Sequence, residues 1–252
     1  MTTAKEIFHI LESMKDERQA ANLIRFFKTG KGDYGEGDRF LGLKVPQTRM
    51  VVKAAARDVP LDEIETLLYS PWHEARLAGF LLLVEEMKAA LPRKRTGLCD
   101  GARRRKEIAD FYLCHARQAN NWDLVDLSCP KILGEWLLYP NADGTMPDRT
   151  ILDNLATSSN LWETRIGIVS TLRLIKEGQT EDTLRLAAAL LGHTHDLIHK
   201  ATGWMLREVG KKDIDILNDF LEEHYRRMPR TALRYAIEKM DERLRAYWLA
   251  RE

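Results

Sequence analysis

Trp122 and Asp126 stand four residues apart in Asn121-Trp122-Asp123-Leu124-Val125-Asp126, so on a helix they share one face, about one turn from each other. A carboxylate held beside an indole suits positive charge: the acid stabilises it directly, and the ring face attracts it. Pro130 follows four residues after Asp126, inside the helical run 124–138. It has no N–H for the carbonyl of Asp126, so a bend is expected beside the acid, with a backbone acceptor left over. A structural explanation competes with this one. Asn121 can cap the helix, Asp123 and Asp126 then lie early in it, where acids suit the macrodipole, and Trp122 can serve as core.

A second set of side chains imitates a metal site. His195-Asp196-Leu197-Ile198-His199, with His193 nearby, follows H-E-x-x-H with Asp in place of Glu. His195 falls at the start of its helix, the acid is one carbon short, and no further ligand follows clearly, so surface or groove histidines are expected and no metal. The glycine-rich stretch 29–38 lacks the closing Gly-Lys-Ser/Thr of a phosphate loop and follows a helical pattern, not a strand.

The elements that must position these residues are nearly all helices. Residues 5–28 carry Ile7, Ile10, Leu11 and Met14, then Leu23, Ile24, Phe26 and Phe27, which suits one long or two short helices. Pro46, Pro71, Pro147 and Pro229 each stand just before a helical pattern, and Ser70 is placed to cap the one that follows Pro71. The basic stretch 92–106 reads as a loop running into a helix, and 139–146 as a second loop. With 252 residues, 44% hydrophobic and 31% charged, the chain can bury a large core. Its net charge of +1 means that a polyanion must be held by a local patch. No apolar run reaches membrane length, and the N-terminus has no signal-peptide core. Three cysteines without a CxxC pair suggest a reduced, cytoplasmic protein.

Many short helices call for a repeat search, and one emerges. Arg76-Leu77-Ala78, Asp126-Leu127-Ser128, Arg165-Ile166-Gly167, Lys200-Ala201-Thr202 and Arg234-Tyr235-Ala236 share a frame of charged, apolar and small residues early in a helix. Such degenerate helical pairs define an all-α fold, an α-α superhelix or solenoid of HEAT-like repeats, here one elongated domain over 1–252. The small residue lets neighbouring helices approach. The charged residue is expected on the same, concave side of each repeat, making a cationic groove in which Asp126 is the exception. Lys200, Trp204 and Arg207 share a face of their helix, and Trp162 precedes Arg165 by three.

With these motifs in order, the chain resembles the AlkD family of bacterial alkylpurine DNA glycosylases. Residues 34–49, from Tyr34-Gly35-Glu36-Gly37-Asp38 through Pro46-Gln47-Thr48-Arg49, look like its opening signature. The segment 121–126 looks like its catalytic helix. Trp162-Glu163-Thr164-Arg165 and 200–208 look like two later helices, and 228–236 like its C-terminal segment. The basic stretch 92–106 has no match in the pattern.

The resemblance implies a stack of HEAT-like repeats that cradles duplex DNA and hydrolyses the N-glycosidic bond of purines alkylated at N3 or N7. It implies Asp126 as the catalytic carboxylate and Trp122 and Trp204 as indoles against the sugar of the damaged nucleotide. Arg165, Arg207 and, more weakly, Arg173 are then backbone contacts; the repeat frame adds Lys200 and, weaker still, Arg76 and Arg234, which could instead salt-bridge neighbouring repeats. An alkylated purine is already cationic and needs no Lewis acid to leave, so no metal or other cofactor is expected. The lesion is expected to remain stacked in a shallow groove without a deep base pocket. The expected partner is double-stranded DNA containing alkylated purines, bound by a cytoplasmic monomer that joins the nucleoid when on DNA. A non-catalytic DNA-structure binder on the same scaffold would keep the arginines without needing Trp122, Asp126 and Trp204. A protein-binding scaffold would more often show an apolar or acidic groove.

Overall fold

A computed structural model describes residues 2–55, 59–92 and 97–251. Among the described residues there are fourteen α-helices and no strand, apart from a single bridge between Arg39 and Trp72. No helix among them is long and apolar enough to cross a membrane. The chain divides into two compact units, one formed by 1–132 and 139–145, the other by 133–138 and 146–252.

In the first unit, α1 (Ala4–Ser13) and α2 (Glu17–Phe26) are two helices rather than one. Thr3 and Glu6 form a reciprocal capping box on α1, and the side chain of Asp16 accepts from Gln19 N–H at the start of α2. After the glycine-rich loop come α3 (Val45–Ala55), α4 (Leu61–Leu68) and α5 (His73–Ala89), with α5 packed against both α3 and α4. Helix α5 is buried on every side from His73 to Val84, as a central helix must be. Its cap position is Trp72, not Ser70. The Ser70 hydroxyl instead accepts from Trp72 N–H at 3.2 Å, outside the helix. Helix α6 (Ala102–Cys114) carries the end of the basic stretch.

Residues 93–96 of that stretch lie outside the described residues. Of the rest, Arg103 is exposed and Arg104 pairs with Glu86 and Glu107. Arg105, unlike its neighbours, is withdrawn from solvent. It is fully buried and donates to the carbonyls of Ala90, Leu98 and Pro140, tying the end of α5 to the loop 139–145.

Helix α7 (Trp122–Trp136) passes through Pro130 as one helix; it is not divided there. Its residues to Ile132 belong to the first unit, and its last turn to the second.

The second unit continues with α8 (Thr150–Ala156), α9 (Leu161–Lys176), α10 (Glu181–Leu190), α11 (Asp196–Lys212), α12 (Ile214–His224), α13 (Arg230–Ala236) and α14 (Glu242–Ala250). Helices α8 and α9 form a close pair, and α11 packs against α9, α12 and α13. The repeat's small residue has a visible purpose at Gly167. A Cβ there would lie 2.9 Å from the backbone nitrogen of Ala156 and 3.0 Å from the carbonyl oxygen of Leu152, so only glycine permits this approach. Trp136 and Trp248 are core residues, and Trp72 is half-buried.

Candidate functional site

Helix α7 begins directly after Asn121, whose side-chain oxygen accepts from Trp122 N–H at 2.9 Å. Trp122 and Asp126 are both half-buried, one turn apart, and both line a cavity of about 410 Å³ in the first unit. The rest of its wall is chiefly apolar. The Trp122 indole lies 5.2 Å from the ring of Phe27 and meets Phe26 edge-on at 5.7 Å, while Phe27 stacks on Phe40 at 5.2 Å. Phe26 is 62% exposed, an unusual position for a phenylalanine, and marks the rim of this aromatic group.

Beneath the aromatics lies a buried ionic network that periodicity alone does not predict. Asp38, His73, Arg76, Asn121 and Asp123 are all buried. His73 Nδ1 is 3.0 Å from Asp38 and Nε2 is 2.9 Å from Asp123. Arg76 pairs with the other oxygen of Asp38 and donates to the Ser70 carbonyl at 2.8 Å. The Asn121 amide donates to Asp38 at 3.3 Å. Burial works against a charged imidazole, but Asp123 and Asp38 outweigh it and raise the His73 pKa to about 9. Burial likewise disfavours the Asp38 carboxylate, yet the His73 hydrogen bond and the Arg76 guanidinium hold its pKa below the usual range.

Arg76 is therefore an internal ion-pair partner and not a phosphate contact. Its frame position is right, but α5 is buried all round, so that position faces protein. Next to it, the Glu74 carboxylate accepts three successive backbone N–H groups, from Leu41, Gly42 and Leu43, at 2.8–3.1 Å. Gly42 makes this turn possible: its φ is +94°, and a Cβ would sit 2.0 Å from the carbonyl oxygen of Asp16.

The other expected site residues belong to the second unit. Trp204, half-buried on α11, donates its indole N–H to Glu208 at 3.2 Å. Arg207 pairs with Glu238, and Lys200 with Asp196 at 2.7 Å. Arg173 pairs with Glu135 at 2.7 Å and also with Glu177. Arg165 is buried, and its guanidinium donates to the Leu197 carbonyl at 2.5 Å, at the start of α11. Trp162 is buried as well, whereas Arg234 is exposed.

The histidines near α11 act as local caps. His195 Nδ1 accepts from Leu197 N–H at 3.1 Å, His193 Nδ1 accepts from His195 N–H at 3.0 Å, and His199 Nε2 donates to the His193 carbonyl. Among the described residues, no group of three or more His, Cys, Asp or Glu side chains is arranged to hold a metal ion.

Sequence reasoning placed Trp122 and Asp126 but missed Asp38, His73 and the inward role of Asp123. One signal was available: His73-Glu74-x-Arg76 puts three ionisable residues at the head of an otherwise apolar helix, where each needs a buried partner.

A chain of helical pairs with a carboxylate and an indole on the wall of one aromatic cavity defines a helical-repeat protein with a candidate site. The model of the DNA alkylation repair enzyme family matches residues 7–240, and the chain belongs to that family. A solved structure, a predicted DNA alkylation repair enzyme from Enterococcus faecalis, shares the fold. It has 17% sequence identity and a TM-score of 0.64, over 90% of this chain and 97% of that one. No curated protein matches the chain.

Proposed function

We propose that this protein is a monofunctional DNA glycosylase that hydrolyses the N-glycosidic bond of N3- or N7-alkylated purines in duplex DNA. One observation carries the reading. In a chain of the alkylation repair family, Asp126 and Trp122 lie one turn apart on α7 and line the same cavity.

The chemistry suits those residues. As the C1′–N bond breaks, its electron pair passes to the base and cancels the positive charge there. The sugar becomes oxocarbenium-like, and the Asp126 carboxylate stabilises it. Water then adds at C1′ and gives up a proton, for which Asp126 is the nearby acceptor. The indole of Trp122 presents a ring face to the same developing charge, and Trp204 is the second indole that the family resemblance implies. Arg207, Lys200 and Arg173 hold the DNA backbone, which makes binding salt-dependent and independent of sequence, whereas Arg165, buried against the Leu197 carbonyl, supports the start of α11. The acids now paired with Lys200, Arg207 and Arg173 would share or yield these cations when phosphates arrive.

The test is single-turnover base release from a duplex carrying one N7-methylguanine, with the intact protein and with Asp126→Asn. Release by the intact protein and a loss of about 10²–10³-fold in the variant, with duplex affinity kept, is the expected result. Salt-sensitive duplex binding without release from N7- or N3-alkylated DNA would make the protein a DNA-structure binder instead. Release unchanged in the variant would remove Asp126 from the mechanism.

A further inference from the structure

We propose that His73 is a positioning residue for the reaction assigned above to Asp126. Held between Asp38 and Asp123, its ring fixes the first turn of α7 and thereby the attitude of Trp122 and Asp126 toward the sugar. This rests on the glycosylase reading and adds a residue that touches no substrate.

The geometry points to it from two sides. Both ring nitrogens face carboxylates, at 3.0 and 2.9 Å. An ionised carboxylate only accepts hydrogen bonds, so both contacts are made only by the doubly protonated ring. One of them, Asp123, lies between Trp122 and Asp126 in the first turn of α7. The face of the same ring stacks on Phe40 at 4.5 Å and packs on Phe27 at 5.1 Å, and Phe27 in turn packs on Trp122. A single side chain thus holds the helix through its acid and supports the indole through an aromatic neighbour. It also lines the cavity that holds Asp126.

The contacts join distant parts of the chain: His73 to Asp123 across 50 residues, and Asp38 to Asn121 across 83. Burying two acids and two bases is no better for stability than a well-packed apolar set, whereas fixing register is the best-attested use of such groups.

The charged groups around the ring are few. Asp38 comes from the loop before α3, with Arg76 behind it. Glu74, also on α5, is bound to three backbone N–H groups. Asp123 comes from α7. Asp126 and the exposed Lys44 stand on the cavity wall.

The experiment is single-turnover base release from pH 6 to 10. It measures the saturating rate and the half-saturating protein concentration separately, for the intact protein, His73→Gln and Asp123→Asn, with thermal unfolding of each. For folded His73→Gln, a saturating rate at least tenfold lower with half-saturation within twofold is expected. The intact protein should lose activity as the pH passes about 9. In Asp123→Asn, which keeps the shape of the pair but removes one charge holding the ring protonated, that alkaline limb should move toward neutral pH. This last measurement needs no His73 variant to fold. A purely structural histidine would lower the melting temperature and leave the alkaline limb in place. An unmoved limb, or a folded His73→Gln with the intact protein's saturating rate, overturns the proposal. Absence of base release by the intact protein overturns the glycosylase reading itself, a distinguishable result.

Discussion

One ionic cluster in the first unit and one ion pair in the second carry charge in opposite ways. In the first, Asp38, His73, Arg76 and Asp123 are buried, and each is fixed by at least one short contact from another segment. In the second, Lys200 pairs with Asp196 one turn away on its own helix, at side-chain exposures of 38% and 54%. Buried ions lose hydration and keep it off only in good geometry, so they impose one arrangement. Exposed pairs are weak and exchange with salt or phosphate at little cost. The contrast separates charges held in one arrangement from charges free to trade counter-ions.

The comparison is broken or sharpened by measurements of graded size. The largest effect is expected from Arg76→Ala, which strands the Asp38 carboxylate in the interior. Denaturant unfolding should show a loss of about 3–5 kcal/mol, and a loss under about 1 kcal/mol would mean that the network relaxes freely. Next comes Asp126→Asn. It should slow base release by about 10²–10³-fold, equivalent to about 3–4 kcal/mol of transition-state stabilisation, with little change in unfolding.

Third is the pH dependence of stability. The folded-state pKa of His73 is raised from 6.5 to about 9, so its contribution is whole below pH 6.5, declines as the pH rises, and is gone above about 9. The decline should be on the order of 3 kcal/mol in the intact protein. It should vanish in His73→Gln, and equal alkaline losses in both would assign it to other groups. Asp38, shifted downward, acts at the other end: its contribution is present above the ordinary carboxylate pKa and lost as the pH falls below it.

The smallest effect on stability is expected from Lys200→Ala, under about 1 kcal/mol. Its signature lies elsewhere. The slope of log affinity against log salt for duplex DNA should fall by about one, with the saturating rate of base release unchanged. An unchanged slope would take Lys200 off the phosphate path.

Much of the fold was legible because helical periodicity and capping are local. The loop 139–146 and the run of α7 follow from residues within a few positions of each other, whereas one long helix or two over residues 5–28 stayed open until α1 and α2 were seen. The pairing of Trp122 with Asp126 is equally local, a matter of one helical turn. Pro130 removes one hydrogen bond within α7, yet the helix continues to Trp136.

The repeat frame was local too, and it misled at Arg76 and said little about Arg165. It locates a charged residue along a helix but not whether that face meets water or another helix. For α5, buried on nearly every side, the answer was protein.

The sequence by itself determined that this chain is built of helices and that an acid and an indole share a face of α7, since each depends on neighbours in the chain. Only the tertiary structure decided that Asp38, His73 and Asp123 meet, that Arg76 turns inward and that an aromatic cavity opens beside Asp126. Those facts depend on contacts between residues 35 to 83 positions apart. Such contacts leave no period in the sequence, and burial alone makes their charges costly enough to demand one another.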